Sequence, residues 1–484
     1  MEETDRIQDE KVAKAEPAGA KFEKDLTKGN VLKQMILFSL PFLLSNFIQA
    51  LYNVGDMLIV GLFDGTPAAI TAVNEGGQIT ILVTNIIVGF CLGGTVMIAQ
   101  YLSRKQHEDI KQTIGTVFTS LMIAAAILSV LMIGLAVPLV KLMGVPAEAQ
   151  RDTIAYVMIC MAGNVFIFGY NGISAVLRGM GDSVRPLIIV GGTCALNIGL
   201  DALFVGPFNM GVAGAAIATV ISQAIAMFAA VIYLYKKKFI FDFKLKSFKI
   251  YKDKLKRLFK IGLPASVQNA VTSLSFIFLL AFVNRHGVEA GAGAGIAAKI
   301  NSLVVLPILA IGMAVTAMSA QNIGASMYKR AVKIMFVGMG VCLIVGTAFY
   351  ICAQVLAEPL IKVFMLKEQP DYNQAEAIAL GVVYLKAFSV DYIILAVFAT
   401  LMGLINGSGH TEISMVFSLC SSIFIRVPLA YIMDRVAGLG FKGIAFAVPM
   451  ATAVTTILSA VYVLTGKWKK NKLGSEDTVL LEIQ

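Results

Sequence analysis

Residues 113–139 read TIGTVFTSLMIAAAILSVLMIGLAVPL, a stretch without one charged side chain. A helix of about 20 apolar residues crosses the hydrocarbon core of a bilayer. Similar stretches lie near residues 35–62, 70–102, 153–177, 184–205 and 212–235, and again near 260–283, 290–323, 331–357, 376–405, 413–433 and 441–465. We therefore predict an all-α polytopic membrane protein with about twelve transmembrane helices in two sets of six.

The composition excludes a soluble protein. Of 484 residues, 57% are hydrophobic and 14% are charged, and the mean hydropathy is +0.79. Soluble proteins carry roughly 25% charged residues, so this chain has too little polar surface to cover its apolar segments. The net charge of +10 does not indicate nucleic-acid binding, because the basic residues lie in short connections. The six cysteines lie inside apolar stretches without paired spacing, which favours buried free thiols.

Basic residues collect on the side of the membrane that holds the N-terminus. The segment 236–260 alone carries eleven of them. The positive-inside rule then places both termini in the cytoplasm. We expect the protein in the inner or plasma membrane of the cell. We predict a flexible N-terminal tail over 1–33, an N-lobe over 34–235, a basic linker over 236–259, a C-lobe over 260–465 and a C-terminal tail over 466–484.

The two halves resemble each other in sequence. Gly262-Leu263-Pro264 echoes Ser39-Leu40-Pro41 at an offset of 223, and Met318-Ser319-Ala320-Gln321 echoes Met97-Ile98-Ala99-Gln100 at 221. Ile405-Asn406-Gly407-Ser408-Gly409 echoes Leu177-Arg178-Gly179-Met180-Gly181 at an offset of 228, and Gly440-Phe441-Lys442-Gly443-Ile444-Ala445 echoes Gly211-Val212-Ala213-Gly214-Ala215-Ala216 at 229. Because each half has an even number of spans, the lobes should be related by a pseudo-two-fold axis along the membrane normal. Pro41 and Pro264 lie inside the first span of each half, where proline makes either a static bend or a hinge.

Polar groups inside membrane spans are costly and therefore informative. Asp56 lies in the first span, Asn197 and Asp201 lie one helical turn apart in the fifth, and Thr219 lies in the sixth. Their depths agree within about 5 Å at 1.5 Å per residue, so they can share one pocket in the outer leaflet. Such oxygens suit Na⁺ or a shared proton. The alternative is isolated polar groups that face a water-filled vestibule.

The second half lacks this pocket. At the repeat offsets, the four pocket positions fall on Leu279, Arg426, Ala430 and Val448, which predicts one coupling site per chain. The second half has its own charges, Lys299, Lys386, Asp391 and Arg426, which we predict to be buried. We expect one of two roles for Asp391 and Arg426. Either they form an ion pair with each other, or they contact substrate in a cavity together with Lys299. Glu75 is expected at the outer rim.

Signals of an enzyme are missing from the sequence. No GxxxxGK[ST] motif indicates ATP hydrolysis, and no HExxH motif surrounds any of the three histidines. We therefore expect a transporter that uses Na⁺ or H⁺ as coupling ion and needs no other cofactor.

Several motifs together resemble the multidrug and toxic compound extrusion (MATE) family over about residues 30–465. They are Ser39-Leu40-Pro41, Leu51-Tyr52-Asn53-Val54-Gly55-Asp56, Leu177-Arg178-Gly179-Met180-Gly181-Asp182-Ser183 with Pro186, and Asn197-Ile198-Gly199-Leu200-Asp201. The resemblance implies two lobes in a V, antiport of drugs against Na⁺ or H⁺, cation binding by Asp56, Asn197, Asp201 and Thr219, and a hinge at Pro41. The missing C-lobe acids place the chain nearer the DinF-like branch. Typical substrates are amphipathic organic cations, although Lys299, Lys386 and Arg426 allow anionic or zwitterionic cargo.

The leading hypothesis is therefore secondary active multidrug efflux by alternating access. The alternative is a flippase for a lipid-linked precursor of the same superfamily, and a membrane-embedded enzyme or receptor is a third. We expect small-molecule substrates and membrane lipid as partners, no nucleic acid, and a monomer.

Overall fold

The computed structural model describes residues 22–364, 373–436 and 438–469. All regular secondary structure in these residues is helical. The first half contains α1 Val31–Phe63, α2 Pro67–Ser103, α3 His107–Leu142, α4 Ala147–Ala162, α5 Asn164–Gly179, α6 Val184–Val205 and α7 Gly211–Lys236. The second half contains α8 Lys252–Asn284, α9 Val288–Gly324, α10 Tyr328–Val355, α11 Ala357–Phe364, α12 Gln374–Gly407, α13 Thr411–Val436 and α14 Gly440–Leu464. Short 3₁₀ segments lie at Leu245–Ser247 and Lys467–Lys469.

Local sequence fixes where the first helices begin. The side chain of Asn30 accepts a hydrogen bond of 3.1 Å from the backbone N–H of Lys33 at the start of α1. Thr66 accepts one of 3.3 Å from Ala69 at the start of α2, and Pro67 occupies the first helical position. These side chains satisfy backbone donors that a helix leaves open, and proline has none to satisfy there.

Twelve spans are present in the described residues when a bent pair is counted as one. Eleven of the described helices are long and apolar enough to cross a membrane. The twelfth span is α4 with α5, which meet at Gly163 with a bend of 51°. A Cβ on Gly163 would lie 2.4 Å from the side chain of Val220 on α7, so only glycine allows this close approach. The expected all-α membrane fold with twelve spans is confirmed.

The repeat seen in the sequence is also visible in the helix ends. Helices α1 and α8 are both 33 residues long, and α2 and α9 are both 37 residues long. In both pairs the first and the last residues are related by the same sequence offset of 221, so the second half begins as a copy of the first.

The two halves meet on one face of the molecule. We call this the terminal face, and it is formed by residues 22–30 and the connections 103–107, 179–184, 236–252, 324–328 and 407–411. Every residue is buried from Gly89 to Leu102 in α2 and from Ala314 to Gly324 in α9, whereas burial is interrupted farther from this face. A Cβ on Gly89 would lie 2.5 Å from the backbone of Ser266 on α8. The halves therefore pack backbone to backbone near the terminal face.

Two glutamines join the halves at this face in a reciprocal way. Gln100 on α2 donates from Nε2 to the carbonyl of Gly407 at 2.9 Å, and Gln321 on α9 donates from Nε2 to the carbonyl of Gly179 at 3.5 Å. Gln321 follows Gln100 at the repeat offset of 221, and Gly407 follows Gly179 at an offset of 228. Each half thus offers the same donor and the same acceptor to the other.

Part of the predicted N-terminal tail is packed between the halves. Lys24 donates its backbone N–H to the carbonyl of Met180 at 2.9 Å, and Leu26 donates to Gln321 Oε1 at 2.9 Å. Asn322 donates in turn to the carbonyl of Leu26 at 3.2 Å. Residues 22–30 are therefore a strap across both halves, and α1 starts at Val31. The remainder of the predicted tails, 1–21 and 470–484, lies outside the described residues.

The segment predicted as a basic linker is also packed and partly helical. Helix α8 starts at Lys252, inside the predicted range 236–259. Phe239, Ile240 and Phe241 are buried in the core of the first half. Lys254 forms an ion pair with Asp109 at 2.5 Å. Apolar residues and this ion pair therefore fix the connection against the first half.

Candidate cation-binding pocket

Three helices of the first half bring the predicted site residues together. Asp56 lies on α1, Asn197 and Asp201 lie on α6, and Thr219 lies on α7. Because α6 packs against both α1 and α7, the side chains meet inside the half. Their exposed fractions are 1%, 0%, 0% and 7%. Thr219 Oγ1 donates a hydrogen bond of 3.3 Å to Asp56 Oδ2, and Asn197 and Asp201 lie beside the same carboxylate.

Most of the polar atoms in this pocket lack a partner. Asp56 Oδ1, both carboxylate oxygens of Asp201 and both amide atoms of Asn197 are buried without a hydrogen bond to any described residue. A buried carboxylate without compensation costs several kcal/mol, and buried polar atoms in native proteins are almost always paired. Two adjacent acids in this state require a cation, a proton or both.

Two tyrosines and a serine complete the pocket, and the sequence analysis did not find them. Tyr156 on α4 lies beside Asp56. Tyr52 is buried on α1 close to Asp56 and Ser222. Tyr52 lies about one helical turn before Asp56 and hence shares its helix face, which is a signal that could have identified it. No spacing in the sequence connects Tyr156 to α1.

The glycine Gly76 makes room for one of these tyrosines. A Cβ at this position of α2 would lie 2.6 Å from Cδ1 of Tyr156. Helix α2 therefore presses the phenol ring of Tyr156 toward the pocket. The neighbouring Glu75 points elsewhere, since its carboxylate accepts hydrogen bonds from Asn74 at 3.0 Å and from Gln78 at 3.3 Å.

Pro41 precedes Asp56 on α1 and lies nearer to the terminal face. Its carbonyl accepts a hydrogen bond of 2.8 Å from Ser45 Oγ. The helix continues through it from Val31 to Phe63. The structure holds one conformation of this helix, so the hinge role remains a prediction.

The charges predicted to be buried in the second half divide into two groups. Lys299 and Lys386 are exposed, so their predicted burial is wrong. Asp391 and Arg426 are buried, at 4% and 7% exposure. They are not joined by an ion pair within 4.0 Å; instead Arg426 Nη1 donates to Ser275 Oγ at 2.8 Å. Hydropathy places a residue within a span, but the rotation of the helix decides whether it is buried.

Cysteines and acid clusters add no second site in the described residues. All six cysteines are free thiols, four of them buried. The described residues hold no group of three or more His, Cys, Asp and Glu side chains that could bind a metal ion. The pocket of the first half has two acids and draws its other oxygens from amide and hydroxyl groups.

Known proteins share both the sequence pattern and the fold. The MatE family profile matches residues 41–203 and 264–432. YpnP, a probable multidrug resistance protein of Bacillus subtilis, is 30% identical over 459 residues, which are 93% of this chain and 99% of that protein. YoeA of the same organism, also described as a probable multidrug resistance protein, is 28% identical, with coverage of 92% and 96%. A solved MOP superfamily transporter from Pyrococcus furiosus superposes with a TM-score of 0.85 at 22% identity, over 92% of this chain and 98% of that one.

Proposed function

This chain belongs to the MATE family of multidrug exporters, and we propose that the pocket of Asp56, Asn197, Asp201 and Thr219 binds the cation that drives its transport. The chain is a multi-pass membrane transporter and not an enzyme, as its relatives are multidrug resistance and export proteins. The identity of the ion and its coupling to export are the proposed parts.

The observation that carries this proposal is the set of unpartnered oxygens. Asp56 and Asp201 contribute carboxylates, and Asn197 contributes a carboxamide oxygen. Hard oxygen ligands suit Na⁺. A proton shared between the two carboxyl groups is the other solution, because two adjacent charges cannot both persist in a low dielectric. In either case the charge of the pocket depends on whether the cation is bound.

Helix α1 connects the pocket to the interface between the halves. Near its start, Met35 and Phe38 are buried in a core cluster with residues of α9, α10 and α12. Near its other end, Asp56 lies in the pocket. Pro41 lies between these two contacts, where a missing backbone hydrogen bond makes bending cheaper. Cation binding would favour one shape of α1 and thereby one opening of the transporter.

We propose that the cargo is a small amphipathic organic compound, in line with the names of the relatives, and that it moves outward. The positive-inside argument makes the terminal face cytoplasmic, with both termini inside and the cation pocket toward the exterior. We further expect a monomer in the cell membrane. The names of the relatives do not favour the flippase alternative.

The substitution Asp201→Asn tests the proposal. The purified protein is reconstituted in liposomes, and uptake or release of ethidium, a fluorescent organic cation, is driven by an imposed Na⁺ gradient or pH gradient. We expect the variant to insert and fold but to lose gradient-driven transport. The gradient that drives the wild-type protein identifies the ion.

The control is Glu75→Gln, which removes an acid from the same half outside the pocket. We expect it to transport at the wild-type rate. Gradient-driven transport at the wild-type rate by the Asp201→Asn variant would show that this pocket does not couple the ion.

A further inference from the structure

Helix α13 carries an irregular stretch that ends at a buried arginine. Residues Cys420–Arg426 form π-helical turns, and the guanidinium of Arg426 is among the buried charged groups of the second half. Turns of this kind are rare inside α-helices and are frequently found at functional sites. The proposed coupling pocket in the first half makes no use of this arginine.

The contacts of Arg426 hold it inside the second half. Its Nη1 donates to Ser275 Oγ at 2.8 Å, and its guanidinium carbon lies 4.7 Å from the centre of the Phe276 ring, both on α8. Asp391 and Tyr384, both on α12, are its electrostatic partners. Arg426 Nε and Asp391 Oδ1 are buried and have no hydrogen-bond partner among the described residues.

The repeat identifies what this cluster corresponds to. Ser275 follows Tyr52 at an offset of 223, Tyr384 follows Tyr156 at 228, and Arg426 follows Asn197 at 229. The offset of 223 is that of the Pro41 and Pro264 motifs in the same spans. The offsets of 228 and 229 are those of the motifs that precede and follow the fifth and eleventh spans.

Three positions that line the cation pocket of the first half therefore have counterparts around Arg426 in the second. The two pocket acids have none, since their counterparts are Leu279 and Ala430. Where the first half offers a carboxamide beside two carboxylates, the second half offers a permanent positive charge.

We infer that Arg426 is a tethered cation that fills the C-half counterpart of the coupling pocket, so that the chain binds a mobile cation in its first half only. The inference rests on the proposed function for the identity of the first pocket. Arginine stays protonated in proteins, and its charge repels a second cation at short range. The same charge offsets the nearby carboxylate of Asp391, which then needs no ion from solution.

The test counts bound cations on the purified full-length chain in detergent. Binding of ²²Na⁺ and uptake of protons in weakly buffered solution are measured separately, so that the two ions are distinguished. Arg426→Gln should add a second bound cation per chain, held at Asp391. The double variant Arg426→Gln/Asp391→Asn should return to one. Arg426→Lys, which keeps the charge, should also bind one.

The result that would overturn the inference is a folded Arg426→Gln protein, monodisperse in gel filtration, that gains neither Na⁺ nor a proton. A second measurement does not depend on the folding of that variant. Asp391→Asn alone should leave the number of bound cations unchanged, and the loss of a cation in this variant would equally overturn the inference.

The Asp56→Asn/Asp201→Asn background separates this inference from the proposed function. If the coupling site is in the first half, this double variant binds no cation, and the further change Arg426→Gln restores one. If the double variant keeps its cation, the proposed coupling site is wrong. In that case the number of cations that the chain gains on Arg426→Gln still decides whether Arg426 occupies a cation site.

Discussion

At the residue scale, the hydroxyl of Thr219 shapes the cation pocket. It donates to Asp56 Oδ2 and leaves Oδ1 unpartnered. Thr219→Val removes this donor while keeping the volume of the side chain. A hydrogen bond to a charged group contributes about 1.5–3 kcal/mol and here stabilises the ionised form of Asp56. If the ion is H⁺, we therefore expect the apparent cation affinity to rise by roughly tenfold or more. If the ion is Na⁺, the loss of a hydroxyl ligand should lower the affinity by a similar factor. The dependence of transport rate on cation concentration in liposomes measures it.

Thr219→Ser is the matched control, because it keeps the hydroxyl and removes only a methyl group. We expect its cation dependence to stay close to that of the wild type. If Thr219→Val retained the wild-type affinity, the hydroxyl would have no part in holding the ion.

The acids of the pocket could be predicted because a charge inside an apolar stretch has few reasons to be there. Asp56 and Asp201 were identified in this way. Tyr52 and Tyr156 were missed, since a tyrosine in a membrane span is equally suited to lipid and to packing. Lys299 was wrongly predicted to be buried, because it lies on the exposed face of its helix. One sequence gives depth along a helix but not its rotation.

At the element scale, the crossing of α2 over α8 depends on glycine. A Cβ on Gly89 would lie 2.5 Å from both N and Cα of Ser266, and backbone atoms cannot move aside as a side chain can. We expect Gly89→Ala to push the two helices apart and to destabilise the protein by about 1–3 kcal/mol. Thermal unfolding of the purified protein, followed by a dye that reacts with the buried cysteines, measures the change.

Gly77→Ala on the same helix is the matched control. A Cβ there has no atom within 4 Å, and alanine stabilises a helix by roughly 0.5–1 kcal/mol relative to glycine. Its unfolding temperature should equal or exceed that of the wild type. Equal unfolding temperatures for Gly89→Ala and the wild type would show that α2 and α8 are not held in close contact in the folded protein.

The number of spans could be predicted from hydropathy, but the ends of the helices could not. Helix α8 starts at Lys252, ahead of its apolar part. Its polar first turns lie outside the hydrocarbon layer and leave no hydropathy signal. The break at Gly163 was also missed. It follows from the packing of α4 and α5 against Val220, a contact between residues that are distant in sequence.

At the scale of the whole molecule, the repeat makes the closed terminal face symmetric. Gln100 and Gln321 each donate to a glycine carbonyl of the opposite half, and the strap 22–30 covers the same seam. The sequence showed that the two four-residue motifs ending in Gln100 and Gln321 are repeated, but it did not show what the glutamines contact. Its role depends on contacts between halves, which no pattern along one chain describes.

These two hydrogen bonds stabilise the conformation in which the terminal face is closed, and they must break when it opens. Gln100→Ala should remove about 1 kcal/mol from the closed state, which is roughly a fivefold change in the ratio of closed to open molecules. Gln321→Ala also removes the hydrogen bonds of this side chain with Lys24 and Leu26, so its effect should be larger. Spin labels at Lys111 and Lys329, exposed and in opposite halves, report the separation by double electron–electron resonance in a background without native cysteines. We expect a growing population at longer distance, larger in the double variant. Gln78→Ala, on the other end of α2, should change nothing, and an unchanged distance distribution in the double variant would contradict the role of the pair.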